Sequence, residues 1–395
     1  MDNKPTPRIL DAVRGSLIGG AAGDALGYAV EFVREDYIFN KYGKNGITEY
    51  ELDPHTGKAI FSDDTQMTLF TAVGLLHGQT RARLRGIAGP PASYVAMAYN
   101  DWLTTQISSF EQVHKARENG SFGYVVSWLL DEPALFERRA PGNTCLSALM
   151  AARQAGSINE ADYIAIKRNH SKGCGGVMRT APCALFAPHL GWDIDLVDMQ
   201  SVQAAAITHG HSLGYMPSAV LSHIIFRLIA PDTAGMPLKT AVLDAIEALK
   251  RLFSGDENTD TLAELIGLAV SLSENSESDL DNIHALGEGW VGEDALAIAI
   301  YCALRYENDF SAGIIAAANH NGDSDSTAAI CGNILGAKLR YSAIEEKWKR
   351  ELEMHDLILE IADDLAQGCL MSEYDPYTDE KWVQKYVKAR VCPRR

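Results

Sequence analysis

Two short stretches of this 395-residue chain carry the same chemical list, a pair of carboxylates with neighbouring hydroxyls. The first is Phe61-Ser62-Asp63-Asp64-Thr65-Gln66-Met67, and the second is Asn321-Gly322-Asp323-Ser324-Asp325-Ser326-Thr327. Each opens a helix-spaced apolar run, so capping alone accounts for either one: Ser or Asp at an N-cap and acids in the first turn satisfy free backbone N–H groups. Capping does not account for their likeness. The side chains on offer are hard oxygen donors suited to Mg²⁺, Mn²⁺ or Ca²⁺. Four carboxylates meeting at one place repel unless cations lie between them, and two divalent ions would balance their charge. An EF-hand is excluded, because the twelfth position counted from Asp323, where a bidentate acid is required, is Ile334.

Three other stretches could contribute. Gly15, Gly19, Gly23 and Gly27 recur every four residues and line one helix face, which suits close helix packing. Asp24 lies on that helix, and Glu31 leaves it just before a loop, where it could reach into a cleft as an acid, a base or a hydroxyl acceptor. The run Asn169-His170-Ser171-Lys172-Gly173-Cys174-Gly175-Gly176-Val177-Met178-Arg179 is a glycine-rich turn whose N–H groups could cradle a pyrophosphate, or simply a loop. It is neither a P-loop nor a dinucleotide-binding fingerprint. His209 and His211 lack the further ligands that zinc requires, so hydrogen bonding to a ligand or a neighbouring helix is the expected use.

The elements that must hold these residues read as helices throughout. Apolar residues recur at spacings of three and four, and alternating strand patterns are scarce. Met67, Phe70, Val73 and Leu76 form such a stripe, with Gly78 read as its stop. Further helices are expected over 11–32, 91–102, 143–155, 196–208, 218–229, 238–252, 261–272, 293–306, 326–339 and 343–365. Residues 251–282 hold eight acids and one base, yet Leu262, Leu265, Ile266, Ala269 and Leu272 keep an apolar stripe, so a surface helix with acidic flanks is expected. No hinge, repeat or low-complexity block divides the chain. The expectation is one all-α domain over 1–395, a compact orthogonal multi-helix bundle with helical insertions and a short tail after Gly368 that packs back through Tyr374, Tyr377, Trp382 and Tyr386.

Thirty-five Lys and Arg against 52 Asp and Glu leave a net charge of −17, which argues against a broad nucleic-acid surface or an anionic membrane partner. An anionic ligand would need locally supplied positive potential. The seven cysteines are scattered without a C-x-x-C pair, so reduced thiols in the cytoplasm are expected. The apolar run after Arg14 is broken by Asp24 before it reaches the length of a signal or a span.

Taken in chain order, GAAGDALGYAVEF, SDDTQM, RAPGNTC, SKGCGGVMR, THGHSLGY and NGDSDSTAA resemble the ADP-ribosylglycohydrolase family. That group contains dinitrogenase reductase-activating glycohydrolase and the ADP-ribosylarginine and ADP-ribosylserine hydrolases. The resemblance implies an all-α bundle with a binuclear Mg²⁺ or Mn²⁺ centre, liganded here by Ser62, Asp63, Asp64, Asp323, Asp325 and Ser326. It implies substrate contacts from Asn143, Ser171, Gly173, Gly175, Gly176 and Met178, with Glu31 near the distal ribose and His209 on the adenosine side. The implied reaction is hydrolysis at C1 of that ribose, with Asp63 or Asp64 handling the proton and Glu31 as the alternative. An ADP-ribosylated protein, most readily one modified on arginine, is the implied partner.

The chain departs from the family pattern where Arg139-Ala140-Pro141-Gly142 replaces a segment that holds a substrate-contacting acid in the nitrogenase-regulating type. Surplus length around 81–93, 101–131 and 232–281 is expected to form lids. Competing readings are hydrolysis of another linkage (serine, nucleic acid or a free metabolite), or an immunity protein that blocks the cleft of an ADP-ribosyltransferase toxin. Retention of all four cluster acids counts against a purely structural protein.

Overall fold

The computed structural model describes residues 5–188 and 190–388. They form helices packed on helices, and the only β pairing among them is two isolated bridges, Ala59 with Leu352 and Gly173 with Val291. The all-α expectation holds. Cys392 and Met1 lie outside the described residues.

The centre of the bundle is the helix Pro7–Tyr28. Thr6 caps it by accepting from the Ile9 N–H at 3.3 Å, and Pro7 occupies its first turn, where a missing N–H costs nothing. Every residue from Gly15 to Gly27 is buried, so this is a core helix rather than an amphipathic one. It lies along the helix Ser324–Leu339 at a separation only glycine permits. A Cβ on Gly19 would stand 2.3 Å from the Gly332 carbonyl oxygen, and a Cβ on Gly332 would stand 2.0 Å from that of Gly19. Asn333 locks the register: its Nδ2 donates to the Ser16 carbonyl at 2.7 Å, while the Ser16 hydroxyl donates to the Asn333 carbonyl at 3.0 Å.

The same central helix fixes a third one, Asp63–Arg85. The buried Asp24 carboxylate accepts from Ser62 N at 2.8 Å, Thr65 N at 2.9 Å and Thr65 Oγ1 at 2.5 Å. Those are N–H groups that the start of a helix cannot pair internally. The two stretches with the shared carboxylate list are therefore both helix N-termini, and both are docked on one helix.

Other expectations need correction. Gly78 does not stop its helix, which runs on to Arg85 and ends at Gly86 with φ 63°. A Cβ at Gly78 would sit 2.5 Å from the Tyr94 ring, so this glycine marks a close packing contact. The expected helix over 343–365 is instead two short 3₁₀ turns followed by the helix His355–Gln367, with Met354 in the left-handed region. Helices Glu35–Tyr42, Phe110–Glu118, Asp279–Leu286 and Phe310–Ala318 were not anticipated. The tail packs back through Trp382 and Tyr386, whereas Tyr374 and Tyr377 are exposed. The helix Ser212–Ile229 is long and apolar enough to cross a membrane by composition, but 89% of it is buried inside the bundle, which accounts for its apolarity.

Gly332→Ala is expected to force the two helices apart and cost ~3 kcal/mol or more, at the upper end for overpacking. Denaturant unfolding of the variant beside an exposed-helix control such as Glu264→Ala checks this.

Candidate active site

The two acid-bearing N-termini meet at the floor of a cleft of about 330 Å³, lined by Asp63, Asp64, Asp323, Asp325 and Ser326 among others. A direct bond joins them: the Ser326 hydroxyl donates to Asp64 Oδ2 at 2.8 Å. Asp323 caps its own helix by accepting from Ser326 N at 3.2 Å. Asp63 is held from the side by the loop before the helix Asn143–Ala155, donating its N–H to the Arg139 carbonyl at 3.1 Å and accepting from the Gly142 N–H. Arg139 itself is buried against Glu353 and anchors that loop, while Ala140, Pro141, Gly142 and Asn143 form the wall. Its divergence from the family pattern thus leaves a structural anchor at this position.

Glu31 enters from the end of the central helix. One oxygen each of Glu31, Asp323 and Asp325 lies within 4.8 Å of the others, and Glu31 Oε2 is buried without a hydrogen-bond partner among the described residues. Burial raises every one of these acids; neighbouring carboxylates raise Glu31 and Asp325 further, whereas hydrogen bonds from Asp325, Cys174 and Ser326 hold Asp323 back. Desolvation followed by Asp325, Asp323 and Asp63 lifts Glu31 to about 11; desolvation followed by Asp325 lifts Asp24 to about 7. Asp63, Asp64 and Asp325 are pushed well above the usual carboxylate range, first by burial and then by a neighbouring carboxylate, Asp325 for the first two and Asp323 for the third. A crowded set of buried oxygen donors with an unpaired oxygen facing it has the composition that hard divalent cations take.

The opposite wall is the glycine turn. Gly173, Cys174, Gly175, Met178 and His209 line the cleft with Asn143, whereas Ser62, Ser171 and Gly176 do not. Ser62 caps the helix Asp63–Arg85 by accepting from the Asp64 N–H at 3.2 Å, and its hydroxyl bonds toward Asp325. Ser171 lies behind the turn, accepting from Gly173 N at 3.3 Å and facing Thr144 Oγ1 at 3.1 Å. Gly176 is packed on the Gly214 carbonyl. Two N–H groups of the expected phosphate cradle are committed already, Gly173 to Ser171 and Cys174 to the Trp290 carbonyl. The Cys174 thiol donates to Asp323 Oδ2 at 2.7 Å, and burial beside Asp323 keeps it protonated. His211 serves as a helix cap, accepting from Leu213 N at 3.1 Å, which separates it from His209 in role.

Sequence reasoning missed several residues here. Phe32 and Trp290 stack at the cleft mouth with ring centroids 5.5 Å apart and an interplanar angle of 20°. Arg179, beneath the floor, is fully buried. A lone cation inside the apolar run Val177 to Phe186 was a readable signal for it, since an unpaired charge is rarely buried without a task. None of the segments expected to form lids, 81–93, 101–131 and 232–281, contributes a residue to the wall.

These acids are raised in the folded state, so their contribution to stability is full below about pH 4 and is lost as pH rises, through about 7 for Asp24 and about 11 for Glu31. In chelator the melting temperature should be lower at about pH 8 than at about pH 5. Excess Mg²⁺ should restore it at the higher pH, by ~2.7 kcal/mol at a hundredfold excess over Kd, where Na⁺ of equal ionic strength does not. Thermal melts in the four conditions check this.

A family model described as ADP-ribosylglycohydrolase matches residues 5–374. An uncharacterized protein of Archaeoglobus fulgidus is 31% identical over 198 residues, which make up 50% of this chain and 59% of that protein. The chain is thus matched to a little over half of that relative's length. ADP-ribosylarginine hydrolase Tri1 of Serratia proteamaculans is 23% identical over 367 residues, 91% of this chain and 80% of the relative. A solved chain described as an ADP-ribosylglycohydrolase-related protein complex shares the fold with a TM-score of 0.59 at 23% identity, covering 91% of this chain and 98% of its own.

Proposed function

Since the chain belongs to the ADP-ribosylglycohydrolase family, we propose that it removes ADP-ribose from modified protein side chains in the cytoplasm, with ADP-ribosylarginine as its preferred linkage. The observation that carries this reading is the meeting of two acid-bearing helix N-termini, joined by Ser326 and Asp64, at the floor of one cleft. Two divalent cations, Mg²⁺ or Mn²⁺, held by Asp63, Asp64, Asp323 and Asp325 with the hydroxyls of Ser62 and Ser326, would supply Lewis-acid orientation of ribose hydroxyls and a more acidic water.

The chain's own residues supply the rest. Water adds to C1 of the distal ribose as the bond from C1 to the side-chain nitrogen breaks, and the ring passes through oxocarbenium character. Asp63 or Asp64 takes the proton of the attacking water, and the departing nitrogen regains one. Glu31, with an oxygen within 4.8 Å of those of Asp323 and Asp325, is the alternative group for proton handling.

Two observations support the arginine linkage. One is that the Serratia relative is named as an ADP-ribosylarginine hydrolase. The other is the aromatic pair: Phe32 follows Glu31 directly, is 70% exposed, and holds a backbone φ of 61°, which is strained for a bulky residue. Strain of this kind persists where a side chain has a task, and a planar guanidinium stacks on aromatic faces where a serine oxygen gains nothing.

A panel of defined linkages (arginine, serine, nucleic-acid end), each with and without Mg²⁺, tests the reading. Release from arginine that needs the cation is expected. Asp64→Asn and Asp325→Asn should lower it about a hundredfold or more with helical content unchanged, since several kcal/mol of charge stabilisation depend on these acids. Trp290→Ala should lower kcat/KM for ADP-ribosylarginine about fivefold to thirtyfold, and leave ADP-ribose affinity within about twofold. Full activity in chelator would sink the metal-dependent reading. Capture of an ADP-ribosyltransferase toxin by Asp64→Asn, with no turnover of any linkage by the parent protein, would favour immunity by blocking instead.

A further inference from the structure

Arg179 is a fully buried cation with no carboxylate among its hydrogen-bond partners. Its Nη1 reaches Met67 Sδ and Cys145 Sγ, both at 3.3 Å, and its Nη2 reaches the Ala204 carbonyl at 3.5 Å and Thr208 Oγ1 at 2.6 Å. The guanidinium lies 4.4 Å from the Tyr99 ring centroid, and its Nε is buried without a partner among the described residues. Burying a charge on such terms costs several kcal/mol unless another charge nearby uses it. The short bond to Thr208 shows one use.

Thr208 Oγ1 also lies 2.9 Å from His209 Nδ1. A guanidinium has only donors, so in its bond with Arg179 the threonine oxygen must accept. That leaves the single hydroxyl proton uncommitted to Arg179, and directed at His209 Nδ1 it makes that nitrogen an acceptor. With the hydroxyl proton so directed, the ring proton sits on Nε2, on the edge beside the glycine turn: Nε2 is 3.4 Å from where a Cβ on either Gly173 or Gly175 would sit. We propose that Arg179 is a positioning residue acting through Thr208, setting His209 as the tautomer with its proton on Nε2, where it donates a hydrogen bond to a phosphate-type oxygen of the ligand in the cleft.

The surroundings agree with this. The glycine turn has spent the N–H groups of Gly173 and Cys174 on Ser171 and Trp290, so it offers fewer donors to an anion than its sequence suggests. Burial and then Arg179 push the His209 ring down to about 3, so it meets the ligand as a neutral donor of fixed orientation. Arg179 adds a positive charge beneath the cleft and is among the groups that act on Asp63. The ligand half of the inference rests on the proposed ADP-ribose specificity; the tautomer half does not.

Histidine ring ¹⁵N spectra of the full-length protein with Mg²⁺, with the His209 signals assigned by difference from His209→Gln, test it directly. The expected spectrum shows a protonated Nε2 and an unprotonated Nδ1. Thr208→Val should abolish that pattern and weaken ADP-ribose binding about tenfold, the worth of one hydrogen bond in a buried site. Thr208→Ser should restore both. Arg179→Met should also lose the tautomer and should weaken binding more than Thr208→Val does; if that variant does not fold, the Thr208 pair still decides. A parent spectrum with the proton on Nδ1, a Thr208→Val protein with parental tautomer and affinity, or a folded Arg179→Met protein with the parental tautomer overturns the relay. A parent protein that fails to bind ADP-ribose while showing the Nε2 proton overturns the proposed ligand instead, so the two failures are told apart.

Discussion

The site depends on how closely the helix Pro7–Tyr28 approaches the helix Ser324–Leu339. Along this contact Gly15 faces the Gly336 carbonyl, Gly19 that of Gly332, Gly23 that of Ala328 and Gly27 that of Ser324, each where a Cβ would stand 2.0–2.3 Å away. No larger side chain fits between these backbones. The contact runs to the first residues of the second acid cluster, since a Cβ on Gly27 would also meet Asp325 Cα at 2.6 Å. Four glycines on the central helix therefore decide where Asp325 stands. One turn away the same helix offers Asp24 to the start of Asp63–Arg85. One helix sets both acid clusters, and small shifts in it would be felt at every candidate ligand atom.

Holding acids so tightly stores repulsion. The carboxylates are buried, they raise one another, and a hydroxyl from one cluster bridges to the other. Three means of relief are built in: protonation, hydrogen bonds from Ser326 and Cys174, and the buried charge of Arg179 behind the floor. A fourth is a divalent cation, for which the oxygen set is suited. Under the proposed function, a chain of net charge −17 would meet an anionic ligand without a basic surface, the positive potential coming from cations held by these acids and from Arg179.

Much of the helical layout was legible because helices announce themselves within a window of some 18 residues. Both acid clusters were found at helix starts, and the four-residue glycine spacing pointed to close packing. The errors came where a local signal had a distant cause. Gly78 is read as a stop by propensity, but it is a glycine because Tyr94 presses on it from another helix. Residues 343–365 carry a plausible apolar rhythm, yet Trp348 is buried at the end of a 3₁₀ turn, and the helix starts only at His355. The surplus segments expected to be lids contribute no residue to the cleft lining, which no periodicity could reveal.

The sequence by itself determined the kinds of atoms available: two matched sets of carboxylates and hydroxyls, a glycine face, a glycine turn and a histidine behind it. These are local facts, carried by residue type and short spacing. Only the tertiary structure decided their assignments. It turned Asp24 inward as a cap, withdrew Ser171 and Gly176 from the cleft, and stacked Phe32 on Trp290 at its mouth. It also seated Arg179 under His209 through a threonine. Such pairings join residues tens to hundreds of positions apart, as Ser326 and Asp64 are. Their geometry is set by how closely helices pack, which spacing along one chain does not encode.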